Sequence, residues 1–332
     1  MIRRLAPLAV TVAAVALSAC GGGDDADLTI YSGRNEELVG ELIEQFERES
    51  DLKVDVRYGD SSELAATIAE EGDNSPADVF FSQDAGALGA VEDTLSSMPR
   101  PVLDAVPDRY RDPRGRWAGV SGRARVIAYN TDEFDEGEVP DSVFDLTDKR
   151  WRGRVGIPPP NASFQAFVSA MRLDVGDKRT REWLEGMRDN DAQLYDNNIQ
   201  TVEAIGRGEI DVGLVNHYYL YELRREDPDL AVANHFLRRG DPGSLVNAAG
   251  VGILKTTDRQ ENAARFARFL VSDGAQEYFS EKTFEFPLIE GVQPPAGLPR
   301  LSELIGPQVE LGRLGNQLRS TLKLLDEVGF TT

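Results

Sequence analysis

Apolar and polar positions alternate over LTIYS (Leu28–Ser32) and Gly33 then breaks the run, which predicts a strand followed by a turn. From Glu36 to Glu49 the apolar positions Leu38, Leu42, Ile43 and Phe46 recur at helical spacing. KVDVRY (53–58) reads as a second strand, SELAATIAEEG as a helix ending at Gly72, and ADVFFS (77–82) as a more apolar strand with a helix opening in DAGALGAV. Further strands are expected at RARVIAYN (123–130), GRVGIP, AQLY, Asp211–Val215 and AAGVGILK (248–255). Helices are expected at 164–173, 178–188, within NIQTVEAIG, from the tyrosines into YLYELRRE, and as one long amphipathic helix in ENAARFARFLVSDGAQEYF. The last segment, from Leu301 onward, reads as helical in two pieces. Alternating strands and helices predict α/β architecture with doubly wound parallel sheets.

Composition adds an address and excludes some partners. With 57 Asp and Glu against 36 Lys and Arg, the net charge is -21, a field that repels phosphate backbones and anionic lipid. Nucleic acid is therefore excluded as an expected partner. The first residues carry Arg3 and Arg4, an apolar run from about Leu5 to Leu17, and then small residues, the layout of a signal peptide over 1–19. Leu17-Ser18-Ala19-Cys20 resembles a bacterial lipobox, with cleavage before Cys20 and acylation of its sulfur. Cys20 is the only cysteine, so no disulfide forms within the chain. Residues 20–26 are expected to be a flexible tether, and the mature protein to be extracytoplasmic and held to the cell membrane by lipid alone.

Motifs for catalysis are missing: the sequence has no GxSxG, HExxH, GxxxxGK[ST] or CxxC. The two histidines, His217 and His235, have no marked nucleophile with which to form a triad. Acidic pairs such as Glu36-Glu37 and Glu70-Glu71 read as solvated helix faces or ends. Gly156, Gly206, Gly208 and Gly213 form no phosphate cradle and read mostly as turn or cap residues. No enzymatic activity is expected. One stretch is unusual: VNHYYLYE (215–222) carries three of the nine tyrosines within four residues. At a strand end, where the chain turns into a helix, adjacent Tyr218 and Tyr219 both reach the crevice beyond the sheet's carboxyl edge. Core packing is the alternative.

YSGRN (31–35), ADVFFSQDAG (77–86), SGRARVIAYN (121–130), WRGRVGIPPPNASFQAF (151–167), GEIDVGLVNHYY (208–219) and FEFPL (284–288), in that order, resemble the ferric-ion-binding proteins of bacterial ABC importers. The resemblance spans about Leu28 to Phe330. It implies the type II periplasmic-binding-protein fold, two doubly wound lobes with a ligand cleft between them. The expected lobes are 27–122 plus about 250–295, and 123–249 plus about 296–332. The protein is then a monomer that captures Fe3+ with a synergistic anion, carbonate or phosphate, and delivers it to a permease and its ATPase.

Residue by residue, the resemblance makes Tyr218 and Tyr219 the iron ligands, which suits a hard trivalent ion that prefers anionic oxygen. Members with a histidine and a carboxylate at two further ligand positions have here Asn35 and Gln83, both neutral amides. Asp84, Glu36 and His217 lie beside these positions as possible substitutes. The anion pocket carries over to Arg123, the segment Asn161-Ala162-Ser163, Asn198 and Asn216. Arg125 reads as an ordinary strand or ion-pair residue, Tyr129 as core and Tyr221 as packing; Tyr31 stays open. Two other readings remain. One is an organic or oxyanionic ligand, such as a phosphonate or carboxylate, on the same fold. The other is an exported enzyme on a binding-protein scaffold.

Overall fold

The computed structural model describes residues 26–330; the signal segment, Cys20 and the tether through Asp25 lie outside the described residues, as do Thr331 and Thr332. Each expected strand–helix pair near the amino terminus forms. β1 (Leu28–Ser32), β2 (Val54–Tyr58) and β3 (Val79–Ser82) lie parallel, connected by α1 (Glu36–Ser50) and α2 (Ser61–Glu71), with α3 (Ala85–Ala90) following β3. α1 buries Val39, Leu42, Ile43 and Phe46 rather than Leu38, and Phe46 meets Phe266 edge-on at 5.0 Å.

The sheet is mixed, not parallel throughout. After α4 (Arg100–Ala105), β4 runs fourteen residues, Trp117–Asn130. β5 (Val155–Ile157), β6 (Gln193–Leu194) and β7 (Val212–Asn216) form a second parallel group, with α5 (Ala162–Val175), α6 (Asp177–Asp189) and α7 (Asn198–Gly206) between them. β4 and β9 (Val246–Ile253) run antiparallel to one another, and β9 is antiparallel to β3 as β4 is to β7. The strand order is β2-β1-β3-β9-β4-β7-β5-β6, with β8 (Val232–His235) and β10 (Phe286–Pro287) also pairing β4. Antiparallel neighbours need no helical crossover.

β4 changes partners midway. Trp117–Ala124 pairs with β9, whereas Arg125–Tyr129 pairs with β7 in a register that sets Arg125 opposite Asn216. The first half of this strand has no period-2 signal because all fourteen residues are buried.

Two helical expectations need correction. The long amphipathic segment is two helices, α9 (Gln260–Leu270) and α10 (Asp273–Glu281), because Ser272 accepts from the Ala275 amide and starts a new helix. The carboxyl-terminal segment holds one α-helix, α11 (Leu314–Val328), preceded by single 3-10 turns at Leu301–Glu303 and Leu311–Arg313. Gly156 and Gly213 are not turn residues but strand positions under α7, where an added Cβ would lie 3.0 and 2.6 Å from the Thr201 methyl. α11 packs on α3 and on α5, so it spans the two parallel groups. Among the described residues no helix is long and apolar enough to cross a membrane.

Candidate functional site

The sequence-predicted residues lie just beyond the carboxyl ends of parallel strands: Asn35 after β1, Gln83 after β3, Asn161–Ser163 after β5, Asn198 after β6, and the tyrosines after β7. That is where open α/β sheets leave a crevice. Tyr218 and Tyr219 are the first two residues of α8 (Tyr218–Glu226), and their ring centroids stand 4.2 Å apart at 31°. Tyr218 is buried and Tyr219 half-buried. Burial pushes the Tyr219 phenol well above its ordinary value, and the adjacent Tyr218 oxygen adds to this; the Arg123 charge opposes it.

Of the residues expected to hold an anion, Asn161, Ser163, Asn198 and Asn216 form one hydrogen-bonded cluster, and Arg123 is not bonded to it. Asn161 caps α5, its Oδ1 accepting from the Ser163 amide at 3.0 Å, the Ser163 hydroxyl at 2.6 Å and Asn198 Nδ2 at 3.0 Å. Asn198 Oδ1 accepts from the Asn216 amide at 3.3 Å. The start of α5, at Ala162 and Ser163, adds the partial positive charge of a helix amino terminus. A cavity of about 470 Å³ opens beside it, lined by Ala162 and Gln165 from α5, Asp84 and Arg319 among others.

Arg125 belongs to this cluster and is not an ion-pair residue. Its Nη2 donates to Ser163 Oγ and its Nη1 to the Leu214 carbonyl, both at 3.0 Å, and no described carboxylate pairs with it. Burial pushes its guanidinium down to about 9, partly offset by Tyr219 and Tyr218, with the like charge of Arg123 lowering it further. Arg123, two residues earlier on β4, is 2% exposed, and its Nε and Nη1 have no hydrogen-bond partner. Buried N–H groups left unpaired are costly, so they mark a place for an acceptor.

Two residues were missed from sequence. Arg34, beside Asn35, makes a two-pronged ion pair with Glu285 at 2.8 and 2.9 Å, both side chains buried. Glu285 Oε1 also lies 3.7 Å from Arg123 Nε. Burial alone would raise the Glu285 carboxyl, but Arg34, Arg123 and the Ser121 hydroxyl together hold it below the usual range. Nothing in either sequence neighbourhood announces a pair 251 residues apart.

Two of the candidate substitute ligands, His217 and Asp84, are otherwise occupied. His217 Nδ1 accepts from the Ala124 amide at 3.2 Å and Nε2 donates to the Phe284 carbonyl at 2.7 Å, so no ring lone pair is free. Asp84 caps α3 through the Ala87 amide. Glu36 and Asn35 are exposed, and Gln83 is half-buried. Among the described residues, no group of three or more His, Cys, Asp or Glu side chains could hold a metal ion. Of the other tyrosines, Tyr31 donates to Glu71 at 2.9 Å, Tyr129 is buried, and Tyr221 stacks on Phe284.

Burial drives the His217 pKa down to about 4; the Phe284 carbonyl, the Glu285 charge and the Ala124 backbone oppose this and Arg123 adds to it. The folded state therefore requires neutral imidazole. Its contribution to stability is complete above the unfolded pKa near ~6.5 and is lost as pH falls toward about 4, amounting to roughly 3 kcal/mol. The urea midpoint of the ligand-free protein should drop over that window. His217→Asn should be less stable at pH 7 but show a shallower drop. Parallel slopes for the two proteins would refute this assignment.

Residues 72–303 match the family described as bacterial extracellular solute-binding protein. The chain is 32% identical over 342 residues to iron uptake protein A1 of Synechocystis sp., covering 97% of this chain and 95% of that protein. It is 30% identical over 317 residues to the major ferric iron-binding protein of Neisseria meningitidis, covering 92% and 93%. Iron-bound HitA from Pseudomonas aeruginosa superimposes with a TM-score of 0.85 at 31% identity, covering 91% of this chain and 99% of that one. The Trichodesmium FutA protein in complex with iron and citrate gives 0.81 at 30% identity, covering 92% and 99%.

Proposed function

Because the chain belongs to the bacterial extracellular solute-binding protein family and groups with its ferric-ion-binding members, we propose that it captures Fe3+ together with an anion in the cleft of a type II periplasmic-binding-protein fold. The observation that carries this reading is the convergence of two adjacent phenols, two buried guanidinium groups without a carboxylate hydrogen bond, and a helix amino terminus beyond the strand ends. Iron displaces the tyrosine protons and is held by phenolate oxygen. Asn35 and Gln83 contribute at most neutral oxygen, so the remaining coordination comes from the anion and water. Arg123, Arg125, Asn161, Ala162, Ser163, Asn198 and Asn216 bind that anion, carbonate or phosphate.

The lobes are 27–122 plus about 250–295, and 123–249 plus about 296–332, a division supported by the change of β4 partners between Ala124 and Arg125. Ligand bridges the lobes and so favours the closed state. Acylated Cys20 holds the monomeric protein outside the cell membrane, and a permease with its ATPase receives the iron. No step requires catalysis.

A second reading, an organic or oxyanionic ligand, is favoured only by the neutral Asn35 and Gln83. The anion dependence of iron binding separates the two. Ferric iron supplied from a weak chelator should bind tightly with bicarbonate or phosphate present and at least about tenfold more weakly without. Arg125→Gln should erase most of that difference. Anion-independent iron binding, equal in both proteins, would count against the proposed pocket.

A further inference from the structure

Phe284 is a non-glycine residue at φ 56°, in the left-handed region. An aromatic residue persists there only when its surroundings over-determine the backbone. Five contacts do so. The Glu285 amide donates to the Phe279 carbonyl at 2.9 Å, and the Thr283 hydroxyl reaches the same carbonyl at 2.9 Å. The Phe284 ring stacks on Tyr221 at 5.0 Å and 16°, with the Arg225 guanidinium 5.1 Å from its centre. The Phe284 carbonyl accepts from His217 Nε2, and His217 is tied by two further bonds to Ala124 of β4. The turn thereby holds the peptide that enters Tyr218.

The next residue acts on the other half of the site. The Glu285 carboxylate accepts both prongs of Arg34 and the Ser121 hydroxyl at 3.0 Å, and shares the one Thr283 hydroxyl proton, 3.1 Å away, with the Phe279 carbonyl. Oε2 takes three of these contacts and Oε1 only the bond from Arg34 Nη1, so Oε1 keeps a lone pair on the side of Arg123. Arg123 stands 3.7 Å away, near enough to be oriented by the negative charge yet beyond hydrogen-bond distance. Arg123 Nε and Nη1 stay unpaired.

We infer that the turn Thr283–Phe284–Glu285 is the positioning element of the site, with Glu285, locked by Arg34 and Ser121, aiming the free N–H groups of Arg123 at the bound anion. Glu285 thus acts through Arg123, while Phe284 fixes the tyrosine-bearing turn through His217. The inference rests on the proposed anion pocket.

The test uses the mature protein and inorganic phosphate, measured by calorimetry without iron, and the visible band that ferric iron forms with phenolate. Glu285→Gln alone would strand the Arg34 charge and risk unfolding, so the main variant is the double change Arg34→Gln with Glu285→Gln, which removes both buried charges together. Phosphate affinity is expected to fall about tenfold or more, and the band on iron loading to shift in position, because Arg123 loses its orienting charge. A folded double variant with wild-type phosphate affinity and an unshifted band would overturn the inference. Ser121→Ala, which removes one hydrogen bond to Glu285, is expected to weaken phosphate binding about threefold with its melting point nearly unchanged. This second variant decides the matter should the double one fail to fold, and an unchanged affinity in it overturns the inference. Wild-type protein that binds phosphate but forms no iron band would sink the iron reading alone, since the phosphate arm still reads Glu285. Wild-type protein that binds neither overturns both.

Discussion

Tyr218→Phe and Tyr219→Phe, each made singly, are expected to weaken ferric binding by roughly a thousandfold or more, because each removes an anionic oxygen from a hard trivalent ion. Both rings remain, so the 4.2 Å ring contact and the burial of Tyr218 are kept. Tyr219→Phe also removes a phenol that burial holds in its neutral form. The melting temperature of the iron-free variants should therefore stay within a few degrees of the parent. Magnitude separates this account from its rival. Were the tyrosines only hydrogen-bonding or stacking against an organic ligand, losing one hydroxyl would cost about 0.5–1.5 kcal/mol, or about tenfold in affinity. Competition against a chelator of known ferric affinity reads the difference directly.

The largest loss of stability is expected at a contact between helices. A Cβ at Gly89 of α3 would fall 1.9 Å from the Gly312 carbonyl oxygen, and one at Gly315 would fall 2.1 Å from the Gly86 carbonyl oxygen. Backbone lies against backbone here, with no flexible side-chain end that could yield. Gly89→Val is expected to cost about 3 kcal/mol or more, and to lower the melting point by roughly 5–10 °C. Gly137→Ala serves as the control, since an added Cβ there meets nothing within 4 Å; its effect should stay within about 0.5 kcal/mol. Displacing α11 also moves its packing on α5, whose first residue is Ala162. Weaker phosphate binding by Gly89→Val than by Gly137→Ala is therefore expected as well.

Several elements were legible because period carried the information. LTIYS, α1 and α7 appear where alternation or helical spacing placed them. The place of the tyrosines in the fold was legible for a related reason, since a strand ending at Asn216 followed by a helical pattern puts Tyr218 at the strand-to-helix junction. Among the wholly buried strands, β3, β5, β7 and β9 were legible as short apolar runs, whereas β4 was legible only in its second half. The amino-terminal half of β4 shows no alternation, and its glycines and serine carry no strand signal. The break at Ser272 was hidden because the apolar period runs on through it, while the cap depends on one hydroxyl. Arg125 was under-read because its neighbours on β4 are apolar, and only the tertiary register opposite Asn216 brings it to Ser163. Glu285 was invisible because its partner lies on the far side of the sequence, next to a residue singled out for another reason.

The most direct measurement is a visible-absorption titration of the soluble chain beginning at Gly21 with ferric iron from a weak chelator, in bicarbonate or phosphate. A phenolate-to-iron charge-transfer band that saturates at one equivalent is the predicted result. A flat titration by correctly folded protein would contradict iron capture by Tyr218 and Tyr219, and would leave the cluster around Arg123 and Arg125 as the site of a different, anionic ligand.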